Sequence, residues 1–318
     1  MRCSDRPFRA RRWRFDPATS ISGNVNLRQR QSRQRQIGSN DMISGTTRLI
    51  AHLGVPTESF RAPLIYNPWF ESRGIDARVV PMGCEIEDYP AFLPLLFRLR
   101  NVAGALVTMP HKVTTVGLLD EASPAVLIAG SCNAVRRDAD GRLVGDMFDG
   151  EGFVRGMRRK GRDVAGSRAL VIGSGGVGSG IAASLAQAGV AEIGLYDSRE
   201  SAAEQLGQRL RRHCPGIGIR TGSNDPAGWD VVVNATPLGM NLGDPMPVDV
   251  DRIDPAAFVG EVVMKQAETP FLAAARERGC VTQIGADMLF EQIPAYLEFF
   301  GFPTATSDEL RQISQLSY

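Results

Sequence analysis

The sequence predicts an α/β chain of two domains, one of them a doubly wound dinucleotide-binding sheet, and three observations predict it. A glycine-rich turn, Val171-Ile172-Gly173-Ser174-Gly175-Gly176-Val177-Gly178, stands between an apolar run at 169–172 and a helical pattern carried by Ile181, Leu185 and Ala188 and closed by Gly189. Such a turn lets backbone N–H groups approach a pyrophosphate, and the helix N-terminus adds a favourable dipole. Strand-like and helix-like runs alternate along the chain, the mark of a mainly parallel sheet. The length of 318 residues leaves room for two domains of about 150 residues each.

The elements follow in order. Residues 48–53, Arg-Leu-Ile-Ala-His-Leu, read as a first strand, 63–72 as a helix ending before Gly74, and 77–82 as a second strand. Asp88 is placed to cap a helix presenting Phe92, Leu95, Leu96 and Leu99 on one face. Residues 104–109 form a third strand, and 133–136 and 142–144 flank Asp138-Ala139-Asp140-Gly141 as a hairpin. After Asp149 a helix with Phe153 and Met157 leads into the glycine turn. Six strand-like runs, 169–172, 192–196, 216–220, 230–234, 259–264 and 281–284, then suit a doubly wound domain. From 286 onward Leu289, Ile293, Leu297 and Phe300 recur at helical spacing.

Composition excludes several classes. The chain is 43% hydrophobic and 22% charged, ordinary for a globular protein with a sizeable core. No apolar run approaches the roughly 18 residues that span a membrane. Cys3, Cys84, Cys132, Cys214 and Cys280 are scattered with no CxxC pair, which points to reduced thiols and a cytoplasmic setting. With only His52, His111 and His213, no metal site is expected. The net charge of +1 hides an asymmetry, because residues 1–41 carry ten arginines against three aspartates. That head is open to four readings: disorder, a transit peptide, a nucleic-acid arm, or an over-extended start with Met42 the true one. The last is favoured because a clean strand pattern begins just after Met42, so no nucleic-acid partner is expected.

Three clusters are candidates for chemistry. Asp197, about twenty residues past the glycines, ends the 192–196 strand where an acid accepts hydrogen bonds from a ribose 2′-hydroxyl and repels a 2′-phosphate. This favours NAD over NADP, although Arg199 nearby can accommodate a phosphate; Asp197 is otherwise a helix cap. In Thr108-Met109-Pro110-His111-Lys112, Lys112 opens a helix at a sheet edge where open α/β sheets bind ligands. A lysine brought toward neutrality there is a proton shuttle, and otherwise a solvated helix-start residue; His111 reads as a loop residue. Asn133 and Asp149 could bind a hydroxyl and take its proton with that lysine, or Asp149-Gly150 is an ordinary turn.

From residue 42 onward these motifs resemble the shikimate dehydrogenase family. The carriers are Met42-Ile43-Ser44-Gly45 with Gly54-Val55-Pro56, Val107-Thr108-Met109-Pro110-His111-Lys112, Ala129-Gly130-Ser131-Cys132-Asn133, Gly141-Arg142-Leu143-Val144-Gly145-Asp146 with Asp149-Gly150, the glycine turn, Asn234-Ala235-Thr236-Pro237-Leu238-Gly239-Met240, Thr269-Pro270-Phe271-Leu272, and Gln292. The resemblance implies a substrate domain at 42–150 completed by C-terminal helices at 286–318, and a Rossmann NAD(P)-binding domain at 151–285. It implies hydride transfer between NAD(P) and a ring alcohol of the shikimate or quinate type, a small-molecule substrate handled by a monomer or homodimer. Lys112 and Asp149 would be catalytic, and Thr108, Asn133 and Gln292 would bind substrate. Gly173, Gly175, Gly176, Val177, Gly178, Asp197, Arg199, Asn234, Thr236, Met240 and Gly285 would serve the cofactor.

The sequence also departs from the family. Phe60 and Ala62 stand where a Ser-x-Ser pair normally binds the substrate carboxylate, with Arg61 between them as a possible replacement or a solvent-facing residue. Leu106 replaces an asparagine, Met147-Phe148 a polar pair, and Met264 a tyrosine. A site built on hydrogen bonds discriminates by factors on the order of ten thousand, so these losses imply a less polar or differently substituted ring alcohol. The alternative is a non-catalytic NAD-binding sensor of the same fold.

Overall fold

A computed structural model of the chain describes residues 43–266 and 268–316. The basic head and Met42 lie outside the described residues. The described part holds two six-stranded sheets.

The first sheet has the order β2-β1-β3-β5-β6-β4, with β1 Arg48–Gly54, β2 Ala77–Gly83, β3 Val102–Val107, β4 Glu121–Ala122, β5 Ala134–Arg137 and β6 Leu143–Asp146. β2, β1 and β3 are parallel, and the β5–β6 hairpin runs antiparallel against β3. β1 is apolar almost throughout because both faces of the sheet are covered. Ile50 joins a core with Tyr66, Trp69 and Phe70 of helix α1 (Pro63–Ser72), whereas Ala51 and Leu53 pack with Tyr89, Leu93 and Leu96 of helix α2 (Tyr89–Leu96). Two expectations are corrected here. Asp88 makes no side-chain cap, and the buried face of α2 is Tyr89, Leu93 and Leu96, while Leu95 and Leu99 are exposed. The helix ends at Leu96, so Leu99 never shares its periodicity.

Two short helices follow β3: α3 Lys112–Val116 and α4 Pro124–Ala129, the latter capped by Ser123, whose hydroxyl accepts from the Val126 N–H. Helix α5 Asp149–Arg159 then crosses to the second sheet. That sheet has β7 Arg168–Ile172, β8 Glu192–Tyr196, β9 Gly218–Thr221, β10 Val231–Asn234, β11 Phe258–Glu261 and β12 Val281–Gln283. All neighbours are parallel in the order β12-β11-β10-β7-β8-β9. Counted from β7 this is 3-2-1-4-5-6, the doubly wound order, with its switch point between β7 and β10. Helices α6 Gly176–Gln187, α7 Glu200–His213 and α8 Pro270–Glu277 cover it. Helix α9 Gly285–Phe299 returns to the first sheet, where Phe290, Ile293, Tyr296 and Leu297 join the α1 core, and α10 Ser307–Ile313 closes the chain with a Thr306/Glu309 capping box.

Helix α5 is the spine between the sheets, and glycines make that possible. A Cβ on Gly150 would overlap the Gly180 carbonyl of α6, one on Gly152 would come within 2.5 Å of the Met288 carbonyl of α9, and one on Gly156 would meet the Gln283 side chain. The backbones therefore approach more closely than any side chain permits. Arg209 of α7 adds a tie by donating from Nε to the Ile128 carbonyl at 2.6 Å, at the end of α4. No helix among the described residues is long and apolar enough to cross a membrane.

Candidate active site

The C-terminal end of β3, the hairpin and the start of α5 meet at one ion pair. Lys112 is the first residue of α3, and its carbonyl accepts from the Cys132 N–H, which fixes α3 against the hairpin. Its ammonium lies 2.6 Å from Asp149 Oδ2, with the side chains 15% and 7% exposed. Asp149 Oδ1 accepts from Asn133 Nδ2 at 2.9 Å, and Asn133 Oδ1 in turn accepts from the Phe148 N–H. Both carboxylate oxygens are thus engaged and the Asn133 amide can adopt one orientation only. Asp149-Gly150 is the first turn of α5 rather than a free turn, so the carboxylate sits at the positive end of that helix.

The glycine turn reaches the same place. Ser131 Oγ donates to the Gly176 carbonyl at 3.4 Å, and a Cβ on Gly176 would stand 3.9 Å from Lys112 Cδ. The sequence clusters around Lys112, Asn133 and Asp149 are therefore brought together with the start of α6. Thr108 and Phe60 also converge, both within about 3 Å of where a Gly54 Cβ would lie. Gln292 rests on Gly152, one turn along α5 from Asp149. Ala62 is packed into the α1 core, and Arg61 is exposed with no partner among the described residues. His111 is buried, not a loop side chain: its ring stacks on Tyr89 at 3.9 Å and Nε2 lies 2.8 Å from the Cys84 carbonyl.

His52, Tyr66 and Trp69 were not among the candidate residues. His52 stacks on Phe60 at 4.0 Å, and burial, helped by the Lys112 charge, brings its pKa down to about 4, so it is neutral near pH 7. Among the described residues, His52 Nδ1, the Tyr66 hydroxyl, Trp69 Nε1 and Gln292 Oε1 are buried polar atoms without partners. They come from β1, α1 and α9, which build one side of the first sheet, and such orphans need an explanation. Phe148 packs edge-on against Tyr296 at 4.8 Å. Strand alternation could have placed His52 on the α1 side; the orphaned atoms are a tertiary property.

The second sheet carries a cleft of about 520 Å³ at its switch point, lined among others by Gly173, Gly175, Asp197, Arg199 and Thr236. Gly173 holds φ +101°, and a Cβ there would strike the Ala235 carbonyl, while a Cβ on Gly175 would enter open space. A backbone bare of side chains therefore faces the cleft, and the residues present fit a dinucleotide pyrophosphate. Asp197 Oδ2 accepts from the Ser174 N–H at 2.7 Å and Oδ1 from the Arg199 N–H at 2.9 Å, so it braces the glycine turn; it is not the cap of α7, whose N-cap is Arg199. Asn234 is buried, donates to the Leu238 carbonyl and accepts from Thr236, which shapes the loop after β10. Gly178 packs against the Gly173 carbonyl and Gly285 against the Val263 carbonyl, both as close contacts of backbone. Val177 is partly buried against the core of the second sheet, Met240 is exposed outside the cleft lining, and Met264 is also exposed.

Glu261 ends β11 fully buried. Its Oε2 accepts from the Thr269 hydroxyl at 2.7 Å, and burial raises its pKa to about 7. The folded state therefore holds its proton more tightly than the unfolded chain. That preference is intact below the ordinary carboxyl range and is lost as pH rises through about 7. Glu261→Gln should match wild type near pH 4 and exceed its unfolding free energy by up to about 3 kcal/mol near pH 8. Chemical denaturation at the two pH values checks this, and equal stability at both would remove the assignment.

Comparison with known proteins adds four findings. Residues 53–135 match the family model described as "Shikimate dehydrogenase substrate binding domain". The chain is 33% identical over 270 residues to the shikimate dehydrogenase (NADP(+)) of Acidiphilium cryptum, covering 85% of this chain and 96% of that protein. Among solved structures it is similar to shikimate 5-dehydrogenase of Listeria monocytogenes in complex with shikimate and NAD, at a TM-score of 0.79 and 26% identity over 86% of this chain and 98% of the other. It is also similar to 5-ketofructose reductase of Gluconobacter sp. strain CHM43, at 0.78 and 25% over 85% and 98%.

Proposed function

The chain belongs to the shikimate dehydrogenase family, and from that premise we propose that it is a nicotinamide-dependent alcohol dehydrogenase acting on a ring alcohol of altered polarity. The observation that carries this reading is the buried Lys112–Asp149–Asn133 relay beside the glycine turn. The nicotinamide, when bound, supplies the hydride acceptor or donor. In reduction the Lys112 ammonium gives a proton to the forming alcohol and becomes the neutral amine; in oxidation the neutral amine takes the hydroxyl proton and becomes the ammonium again. Asp149 holds that ammonium in place and Asn133 holds Asp149, so the proton-transfer group is preorganised. Thr108 and Gln292 stand within the same surroundings as hydrogen-bonding groups for substrate. Phe60, Leu106 and Phe148 supply apolar surface where the family pattern has polar donors. The first sheet with α9 would be the substrate domain and the second sheet the cofactor domain.

We infer NAD as the preferred cofactor. The Acidiphilium enzyme is named for NADP(+), but Asp197 stands at the tip of β8 in the cleft lining, where a carboxylate disfavours a 2′-phosphate. Asp197→Asn keeps an acceptor for the turn and removes the charge. It should raise the NADP-to-NAD ratio of kcat/KM by roughly tenfold, the effect of one unfavourable charge in a partly screened site. An unchanged ratio would assign the preference elsewhere.

The enzyme reading is tested by following reduced nicotinamide with the full chain and a panel of ring alcohols. Turnover that depends on Lys112 supports it. Tight NAD binding with no turnover on any alcohol would instead favour the sensor of the same fold.

A further inference from the structure

The end of the first sheet opposite Lys112 holds a second concavity. β1 and β3 begin there and β5 ends there, because β5 runs antiparallel to β3 with Leu106 paired to Ala134. Gly104 lets this end close: a Cβ there would overlap the Phe300 ring, so the end of α9 lies directly on β3. The result is a cavity of about 330 Å³ whose lining includes Arg48, Arg100, Arg136 and Arg137 with Phe299 and Phe300, and which contains no carboxylate.

Two of the arginines are held and two are unspent. Arg48 Nη2 donates to the Phe300 carbonyl at 3.2 Å and its guanidinium lies 4.1 Å from the Phe302 ring centroid; Arg136 lies 5.1 Å from that of Phe299. Arg100 and Arg137 are exposed, and their guanidiniums make no hydrogen bond or ion pair among the described residues. A sphere of the cavity's volume is roughly 9 Å wide, close to the Debye length of about 8 Å at physiological ionic strength, so solvent ions do not fully separate the four charges. Ionised carboxylates pair with many arginines elsewhere on this molecule, for example Asp225 with Arg252 at 2.7 Å. Here four guanidiniums converge with none.

We propose that this cavity is a binding site for a small polyanion bearing at least two phosphate or carboxylate groups, separate from the dinucleotide cleft. The planar guanidinium fork matches both oxyanions, and one anionic group between Arg100 and Arg137 would remove the mutual repulsion while a second reaches Arg48 or Arg136. A cavity of this size lies at the lower end of the range for small-molecule sites.

Isothermal titration calorimetry of the full chain with NAD present at saturation tests the site, with inorganic pyrophosphate as the phosphate probe and citrate as the carboxylate probe. Saturable binding of either is expected, and which one binds more tightly identifies the oxyanion. The double variant Arg100→Gln/Arg137→Gln should weaken it by roughly tenfold or more, since two charge-assisted contacts are lost, with its melting temperature unchanged. Lys112→Ala should bind as wild type does. Absence of saturable binding by both probes overturns the proposal, and so does an isotherm that persists unchanged in the double variant.

Discussion

Lys112→Ala is expected to lower kcat for hydride transfer by 10² to 10⁴-fold, the range of a positioned general acid–base group, while NAD binding stays within a factor of about two. The separation follows from geometry. The ammonium is bonded to Asp149 and touches the cofactor region only through its stem, near Gly176. Removing it abolishes the proton path and leaves Asp149 buried with only the Asn133 amide, so some loss of stability accompanies the change. Asn133→Ala should give a smaller effect, because it frees Asp149 Oδ1 without removing the proton carrier. Stopped-flow hydride transfer and NAD titration check both. Wild-type kcat in Lys112→Ala would remove lysine from the chemistry altogether.

The second large effect is structural. Ala is ordinarily the better helix former by about 1 kcal/mol, so Gly150→Ala in helix α5 is expected to stabilise on propensity alone. The opposite is expected here. The added methyl overlaps the Gly180 carbonyl and comes within 2.5 Å of Ser184 Oγ, and backbone cannot swing aside as a flexible side chain can. α5 and α6 must separate, at a cost of about 3 kcal/mol, a large share of ordinary domain stability. The neighbouring Asp149 moves with its helix, and a displacement near 1 Å costs on the order of a hundredfold in rate. Thermal denaturation and initial rates on the same sample should both fall, and an unchanged melting temperature would contradict the observed crossing.

These two residues show what the sequence discloses. Lys112, Asp149 and Asn133 were readable as candidates because Lys112 and Asp149 each open a helix and Asn133 opens the hairpin, and the glycine turn because its strand, helix and acid lie in one continuous stretch. In the second sheet β7, β8, β10 and β11 were readable as short apolar runs, whereas β9 and β12 carry one aliphatic residue each. Gly150 was readable only as a turn residue, because its partner Gly180 lies thirty residues away in another helix. The face of α2 was misread because Leu95 and Leu99 fit the same spacing as the true face, and nothing local marks the helix end at Leu96. Alternation along β1 could place His52 on the α1 side, but nothing local marks the orphaned atoms of His52, Tyr66 and Trp69, because an orphaned polar atom exists only once the core has closed over it. The four arginines of the distant cavity are spread from Arg48 to Arg137 and meet only through the antiparallel return of β5.

The central claim is a retained Lys–Asp relay in a pocket that has exchanged polar donors for Phe60, Ala62, Leu106 and Phe148. The most direct measurement is kcat/KM with NAD for shikimate and for ring alcohols carrying fewer hydroxyl or carboxylate groups, with Lys112→Ala as the control. A less polar alcohol should exceed shikimate by at least about tenfold, with activity lost in the variant. Shikimate as the best substrate, turned over with Lys112-dependent efficiency, would contradict it.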